Sequence, residues 1–130
     1  FFNDDEQLLR TLGLQAALPM LIGAGVPVFV AHEAVDMRKS IDGLAALVQA
    51  SLPVSPLSGS LFVFFNRGRD KVKLLWWDRH GFWLAYKRLE RGRFRVPAAD
   101  RLTLTDLTLV LEGIDLSVRR FKAVACQRTA

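Results

Sequence analysis

Apolar residues recur along this 130-residue chain with two different spacings, which predict helices and strands. Between residues 37 and 52 they stand three or four positions apart, at Met37, Ile41, Leu44, Val48 and Leu52. A helix brings such positions onto one face, so an amphipathic helix is predicted near 37–52. Asp36 lies just before this stripe and is one of the residue types that cap helix N-termini.

A second helical pattern lies near 103–114. Its apolar positions are Leu104, Leu107, Val110 and Ile114. Thr103 and Asp106 have the spacing of a capping box, with Asp in the place of the usual Glu. Gly113 is a typical signal for the end of a helix. The sequence therefore predicts a second capped helix near 103–114.

The N-terminal part of the chain is apolar but interrupted. Leucines over 4–18 have helical spacing, which predicts a short helix that ends at Pro19. Residues 11–31 carry no charge and are numerous enough to span a membrane. Two prolines and three glycines interrupt them, however, and favour a short helix, a turn and a strand near 26–31.

Three further apolar runs have the length and composition of strands. They lie at 61–66, 71–78 and 82–90. The connection Arg67–Asp70 contains Gly68, which is expected to supply a positive φ in a hairpin turn. Because consecutive strands with short connections pair with one another, the sequence predicts an antiparallel β-meander packed against the two helices. The predicted fold class is α+β.

Alternation along 71–78 separates the two faces of the second strand. One face carries Val72, Leu74, Trp76 and Asp78, and the other carries Lys71, Lys73, Leu75 and Trp77. The first face is predicted to lie on the core. The second mixes lysines with large apolar side chains, which is typical of a sheet surface that meets a ligand or a partner.

The positive charge is concentrated in one part of the chain. Residues 61–101 carry eleven Lys/Arg against four Asp/Glu, a net charge of +7, whereas the remainder carries −2. Such a local basic surface favours an anionic partner, and nucleic acid before a membrane. The single cysteine, Cys126, cannot form an internal disulfide, which suggests a reducing compartment. Residues 1–6 are acidic, unlike the start of a secretory signal peptide.

Residues that could support catalysis are sparse. His32 and His80 have no Cys, His or Asp at metal-ligand spacing, and no phosphate-binding loop, nucleophile elbow or dinucleotide motif is present. A metal-dependent nuclease would need clustered acids, and the scattered candidates are Asp36, Asp42, Asp78 and Asp115. The sequence predicts no enzyme, no catalytic residue, no metal site and no cofactor.

Cationic and aromatic side chains are the candidate binding residues. The predicted phosphate contacts are Arg67, Arg69, Lys71, Lys73, Arg79, Arg91 and Arg93, with Arg38 and Lys39 as a second patch. Lys87 and Arg88 belong to the same candidate surface, and Trp77 and Tyr86 are the candidate stacking or partner anchors. Three interpretations stay open: nucleic-acid contact, a protein interface, and a solvated cationic face over core aromatics.

Seven short motifs resemble those of one known family. They are Asp36-Met37-Arg38-Lys39, Gly43-Leu44, Leu61-Phe62-Val63-Phe64, Asn66-Arg67, Lys73-Leu74-Leu75-Trp76-Trp77-Asp78, Gly81-Phe82 and Tyr86-Lys87-Arg88-Leu89-Glu90-Arg91-Gly92. In this order they resemble the TnpB accessory protein, the product of the second open reading frame, of bacterial insertion sequences of the IS-sixty-six type. The resemblance runs from about Met20 to about Asp115. Residues 1–19 are therefore interpreted as an N-terminal extension, and 20–130 as a single TnpB-like domain.

The resemblance implies a role in transposition, beside a separate transposase that performs the strand chemistry, and no enzymatic activity of this chain. The implied partners are DNA at the element ends, the cognate transposase, or both. A homodimer is compatible with it, a membrane is not implied, and the expected location is the bacterial cytoplasm. The alternative is a pure protein–protein interaction module with an acidic partner, and a metal-dependent nuclease comes third.

Overall fold

The computed structural model describes Gly13 and residues 17–117, which contain three helices and five strands. We number them in chain order as α1 (Leu18–Ile22), β1 (Val28–Ala31), α2 (Ile41–Ser51), β2 (Leu61–Phe65), β3 (Lys71–Asp78), β4 (Gly81–Arg88), β5 (Arg101–Leu102) and α3 (Leu104–Leu111). The strands form one mixed sheet in the order β4-β3-β2-β1-β5. The predicted α+β class is confirmed.

The predicted antiparallel meander is present in β2, β3 and β4, but β1 pairs differently. Strand β1 runs parallel to β2, with Val28 opposite Leu61 and Ala31 opposite Phe64. The connection between these strands contains α2, and a crossover of this length allows the parallel pairing that a short turn forbids. Strand β5 then adds to the other side of β1 in an antiparallel orientation.

Both faces of the sheet carry a hydrophobic core. On one face, Val63, Val72 and Leu74 pack in a cluster with residues of α1 and α3; we call this the α3 face. On the other, Phe62 and Leu75 pack with residues of α2; we call this the α2 face. The predicted alternation along β3 is confirmed by these two clusters. The face bearing Lys71 and Lys73 was expected to meet solvent or a ligand. This expectation is wrong for the centre of that face, because α2 covers the centre.

Helix α2 begins four residues later than the position of Asp36 would suggest. Its N-cap is Ser40, and the Ser40 side chain makes no capping hydrogen bond. The Asp36 carboxylate instead accepts hydrogen bonds from the Arg38 backbone N–H (2.9 Å) and from its guanidinium (2.7 Å). The predicted capping role of Asp36 is therefore wrong, because the acid closes a local turn before the helix.

Helix α3 has the predicted caps, but it ends at Leu111 rather than near residue 114, and Ile114 of the predicted stripe is 41% exposed. The Thr103 hydroxyl accepts a hydrogen bond from the Asp106 N–H at 3.1 Å. At the other end Gly113 has φ +84°, and the Ile114 N–H donates to the Leu109 carbonyl at 3.0 Å. These bonds form a Schellman motif, in which glycine adopts the left-handed conformation without steric cost.

Helix α1 corrects the expectation for Pro19. This proline lies in the first turn of α1 rather than at the end of a preceding helix. The first helical turn tolerates proline because its N–H groups have no partner within the helix. Most of the helix predicted over 4–18 falls outside the residues that the structure describes. Within 17–117, no helix is both long enough and apolar enough to cross a membrane.

Candidate functional site

The turn between β2 and β3 is held by one asparagine side chain. The Asn66 Oδ1 atom accepts hydrogen bonds from the N–H groups of Asp70 (3.1 Å) and Lys71 (3.0 Å). Its Nδ2 atom donates to Asp70 Oδ1 at 2.7 Å. This hydrogen bond, with a smaller effect of the Lys71 ammonium, lowers the pKa of Asp70 below its usual value. The turn is thereby fixed with Arg67 and Arg69 exposed at its tip.

The positive φ in this turn belongs to an arginine. Arg69 has φ +58°, whereas Gly68 is not among the residues with positive φ. The prediction that Gly68 supplies the left-handed conformation is therefore wrong. An arginine in this region is strained relative to glycine or asparagine, because its Cβ approaches the backbone.

The segment after β4 folds back over this turn. The Leu89 N–H donates to the Asp70 carbonyl, and the Phe94 N–H donates to the Arg69 carbonyl, each at 2.7 Å. The Phe94 side chain is only 1% exposed, and its ring lies 5.8 Å from that of Phe65. These contacts bring the arginines at 91, 93 and 95 beside Arg67 and Arg69.

The loop before α2 reaches the same end of the sheet. The Val35 N–H donates to the Phe65 carbonyl at 2.9 Å. The Lys73 ammonium donates to the carbonyls of Met37 (2.7 Å) and Lys39 (2.8 Å). Arg38 and Lys39 therefore lie at the sheet end that carries Arg67 and Arg69.

Lys73 is a structural residue rather than a surface cation. It is 6% exposed, and its ammonium is used by the two carbonyls of the loop. It also lies 4.8 Å from the ring centre of Tyr86, which is 52% exposed. The predicted role of Lys73 as a phosphate contact is not compatible with this burial. Tyr86 borders the loop that carries Arg38 and Lys39.

One end of the sheet thus gathers nine exposed or half-buried cations, which we call the turn-end cluster. Its members are Arg38, Lys39, Arg67, Arg69, Lys71, Arg88, Arg91, Arg93 and Arg95. Three of them form ion pairs with acids, in the pairs Arg38–Asp36, Lys71–Asp70 and Arg88–Glu90. The other six form no ion pair with any residue that the structure describes. Arg95 belongs to this cluster although the sequence did not single it out.

The Asp36–Arg38 pair is the most strongly coupled of these three. Hydrogen bonds from the Arg38 side chain, and then from its backbone, lower the pKa of Asp36 from 3.8 to about 2. The Asp36 carboxylate offsets the charge of one cation of the cluster. Lys39 is the cation of this loop that has no acidic partner among the described residues.

Five of the predicted binding residues are not members of the turn-end cluster, and one of them, Tyr86, borders it through Lys73. Lys73 is buried, and Lys87 lies on the α3 face, where its ammonium donates to the Leu111 carbonyl near the end of α3 (3.3 Å). Trp77 and Arg79 are at the opposite end of β3, where Trp77 contacts the Phe82 ring edge to face at 5.1 Å. The sequence did not predict which cations belong to the turn-end cluster, because neighbouring cations along a strand, such as Lys87 and Arg88, lie on opposite faces of the sheet.

The turn between β3 and β4 is the second hairpin of the sheet. Arg79 has φ +58°, and the His80 N–H donates to the Asp78 carbonyl at 2.6 Å, as in a γ-turn. The Arg79 guanidinium lies 3.7 Å from the Asp78 carboxylate. Trp83 follows this turn, is 58% exposed and stacks on Trp76 at 6.1 Å. Sequence reasoning did not single out Trp83 as an exposed aromatic.

The acids proposed for a nuclease site are not gathered. Among residues 17–117, no group of three or more His, Cys, Asp or Glu side chains is arranged to hold a metal ion. His32 instead pairs with Asp100, whose Oδ1 atom lies 2.8 Å from the His32 Nε2 atom. This pair links the ends of β1 and β5, on the side of the sheet away from β3 and β4.

Comparison with known protein families identifies the family to which this chain belongs. The family model described as IS66 Orf2 like protein matches residues 26–121. The chain belongs to this family. Membership indicates an accessory protein of transposition, encoded by an insertion sequence.

Two relatives come from Sinorhizobium fredii (strain NBRC 101917 / NGR234). The uncharacterized protein y4hO is 40% identical over 97 residues, which cover 72% of this chain and 84% of the relative. The uncharacterized protein y4jC is 34% identical over 95 residues, which cover 70% and 81%. No solved structure matches the chain. Both relatives are uncharacterized, so they support the family membership but identify no binding partner.

Proposed function

We propose that this IS66 Orf2 like protein is a non-catalytic accessory protein of transposition that binds DNA at the element ends through the turn-end cluster. One observation carries the proposal. Six cations without an ion-pair partner among the described residues lie at one end of the sheet, on elements held together by buried anchors. Cations fixed in this way can neutralise several phosphates of a duplex at once, with the release of bound counterions.

The supporting scaffold sets the positions of these cations. Asn66 fixes the turn that carries Arg67 and Arg69. Phe94 fixes the segment that carries the arginines at 91, 93 and 95. Lys73 fixes the loop that carries Arg38 and Lys39. Contacts to phosphate position a protein on DNA without reading its sequence. The proposed binding is therefore dominated by the backbone and depends steeply on salt.

The test is the affinity for element-end duplex DNA across a salt series, measured for Arg67→Glu/Arg69→Glu. Each lost phosphate contact lowers the slope of log Kd against log salt by about 0.9, so the double variant should lose about 2 from that slope. Arg79→Glu/Arg101→Glu is the matched control. It makes the same change in net charge at two exposed arginines outside the turn-end cluster.

Two outcomes would end the DNA proposal. One is a flat salt response of the unchanged protein. The other is an equal loss of affinity in both double variants, because that result would report net charge rather than the cluster.

A second candidate function is the binding of an acidic surface of the transposase by the same cluster. Its support is the exposed Tyr86, whose ring lies beside the Lys73 ammonium that holds the loop of Arg38 and Lys39, because tyrosine and arginine are common anchors of protein interfaces. Capture of the transposase by the unchanged protein, lost in Arg67→Glu/Arg69→Glu and kept in the control, would favour this function. Salt-dependent DNA binding without any transposase would favour the first.

A further inference from the structure

Strand β4 forms one edge of the sheet, and its outer side has no partner strand among residues 17–117. The Leu89 N–H donates to the Asp70 carbonyl, so the backbone polar groups of Leu89 face β3. Because these groups alternate in direction along an antiparallel strand, those of 83, 85 and 87 also face β3. The N–H and C=O groups of Phe82, Leu84, Tyr86 and Arg88 therefore point outward from the sheet.

Most of this edge lacks the features that usually prevent pairing with another strand; the two cations of β4 lie at its C-terminal end. Its pairing with β3 runs without a bulge from Lys71 opposite Arg88 to Asp78 opposite Gly81. The five residues 82–86 contain no charge, proline or glycine. Natural edge strands are commonly shortened, bulged or charged, and the opposite edge, β5, is only two residues long. A long and regular edge with an uncharged stretch of this length is a template for a further strand.

We propose that β4 is the interface of a two-fold dimer, in which β4 of a second copy pairs antiparallel with it and the two sheets become continuous. The argument for a second copy is the self-complementarity of the strand. With Ala85 on the two-fold axis, Phe82 faces Arg88 of the second copy, Trp83 faces its Lys87, and Leu84 faces its Tyr86. All four outward residues of each copy then form backbone hydrogen bonds.

The charge distribution fits this register. Both cations of β4 lie at its C-terminal end and the aromatic residues Phe82 and Trp83 lie near its start. Antiparallel pairing places each cation opposite an aromatic ring, and cations are attracted to the faces of such rings. A parallel arrangement would instead place Arg88 beside Arg88, and like charges on neighbouring strands repel. The complementarity therefore favours the antiparallel two-fold pair.

Amide hydrogen exchange of the full chain tests the proposal residue by residue. The amides of 82, 84, 86 and 88 should exchange freely at low protein concentration and become protected at high concentration, in step with the dimer mass measured by sedimentation. The amides of Trp83, Ala85 and Lys87 face β3 and should be protected at both concentrations. They are the internal control.

Oxidative cross-linking tests the register. In a Cys126→Ser background, Ala85→Cys places two thiols at a non-hydrogen-bonded pair, where the Cα atoms are about 4.5 Å apart and a disulfide can form. Ala85→Cys should give a covalent dimer, and Tyr86→Cys, which faces position 84, should give little. Efficient cross-linking of Leu84→Cys instead would overturn the register centred on Ala85.

Three exchange results would overturn the dimer itself. The first is a monomer with unprotected outward amides at every concentration. The second is protection that does not depend on concentration in a monomer, which would mean that another part of the same chain covers β4. The third is protection that appears only when the transposase is added, which would identify a different protein as the partner.

Discussion

The two hairpin turns of the sheet differ in length, in hydrogen bonding and in surroundings, although they share one backbone feature. Each contains an arginine with φ +58°, Arg69 in the first turn and Arg79 in the second. The first turn is covered by the returning segment 89–95 and borders the loop before α2. The second ends in solvent beside Trp77 and Phe82. The comparison teaches that tertiary contacts, and not the left-handed arginine that both turns share, gather the cations into a cluster.

The largest expected difference between the two ends concerns their aromatic anchors. Phe94→Ala removes a fully buried ring and should lower the free energy of unfolding by about 3–5 kcal/mol. Phe82→Ala removes a half-buried ring at the other end and should cost about 1–2 kcal/mol. Chemical denaturation measures both. An equal cost would show that the returning segment is not anchored by Phe94.

The two lysines of β3 on the α2 face give the next comparison. Lys73→Met leaves the carbonyls of Met37 and Lys39 without their donor, which should lower the free energy of unfolding by about 2–4 kcal/mol. Lys71→Met removes a half-exposed ion pair and should change it by less than about 0.5 kcal/mol. Denaturation of the two single variants checks this. Similar costs would mean that the Lys73 ammonium does not hold the loop.

Substitutions of the two strained arginines, Arg69 and Arg79, should affect stability equally but DNA binding differently. Arg69→Gly and Arg79→Gly should each raise the free energy of unfolding by about 0.5–1 kcal/mol, because glycine adopts positive φ without a Cβ clash. Only Arg69→Gly should weaken DNA binding, since Arg79 lies outside the turn-end cluster. Loss of binding in both variants would argue against a single site at the first turn.

The smallest expected effect is the acid dependence of the turn-end cluster. Because the pKa of Asp36 is lowered from 3.8 to about 2 in the folded protein, the stability that this acid contributes is present above pH 3.8. It is lost as the pH falls toward 2. Asp36→Asn should therefore show a weaker decline of thermal stability than the unchanged protein over this interval. Identical declines would show that the Arg38 pair is not formed in solution.

Periodicity alone was enough to predict most of the elements. The stripes of α2 and α3, the three strands from 61 to 90 and the caps of α3 all follow from local spacing and from residue types with local conformational preferences. The N-cap of α2 was not predictable in this way. Asp36 has the right chemistry for a cap, but Arg38 offers its carboxylate a stronger partner within the turn.

The sequence predicted which residue types form the candidate site, but it predicted less well where each of them lies in the fold. Most of the cations named from the sequence do lie in the turn-end cluster, because they follow or precede the strands that end there. Lys73 could not be placed from its own neighbours in the chain. Its burial depends on the loop at 37–39, which packs on β3 from a distant part of the sequence.

The sequence by itself determined the α+β class, the two faces of β3, the local excess of positive charge and the family resemblance, because each of these is written in spacing or composition. The tertiary structure decided the parallel pairing of β1, the covering of both sheet faces and the grouping of cations at one end. These features depend on contacts between residues far apart in the chain. Local sequence patterns do not reveal such contacts. Lys71 and Lys73 lie on the same face of β3, two residues apart, yet Lys73 is buried and Lys71 forms a half-exposed ion pair.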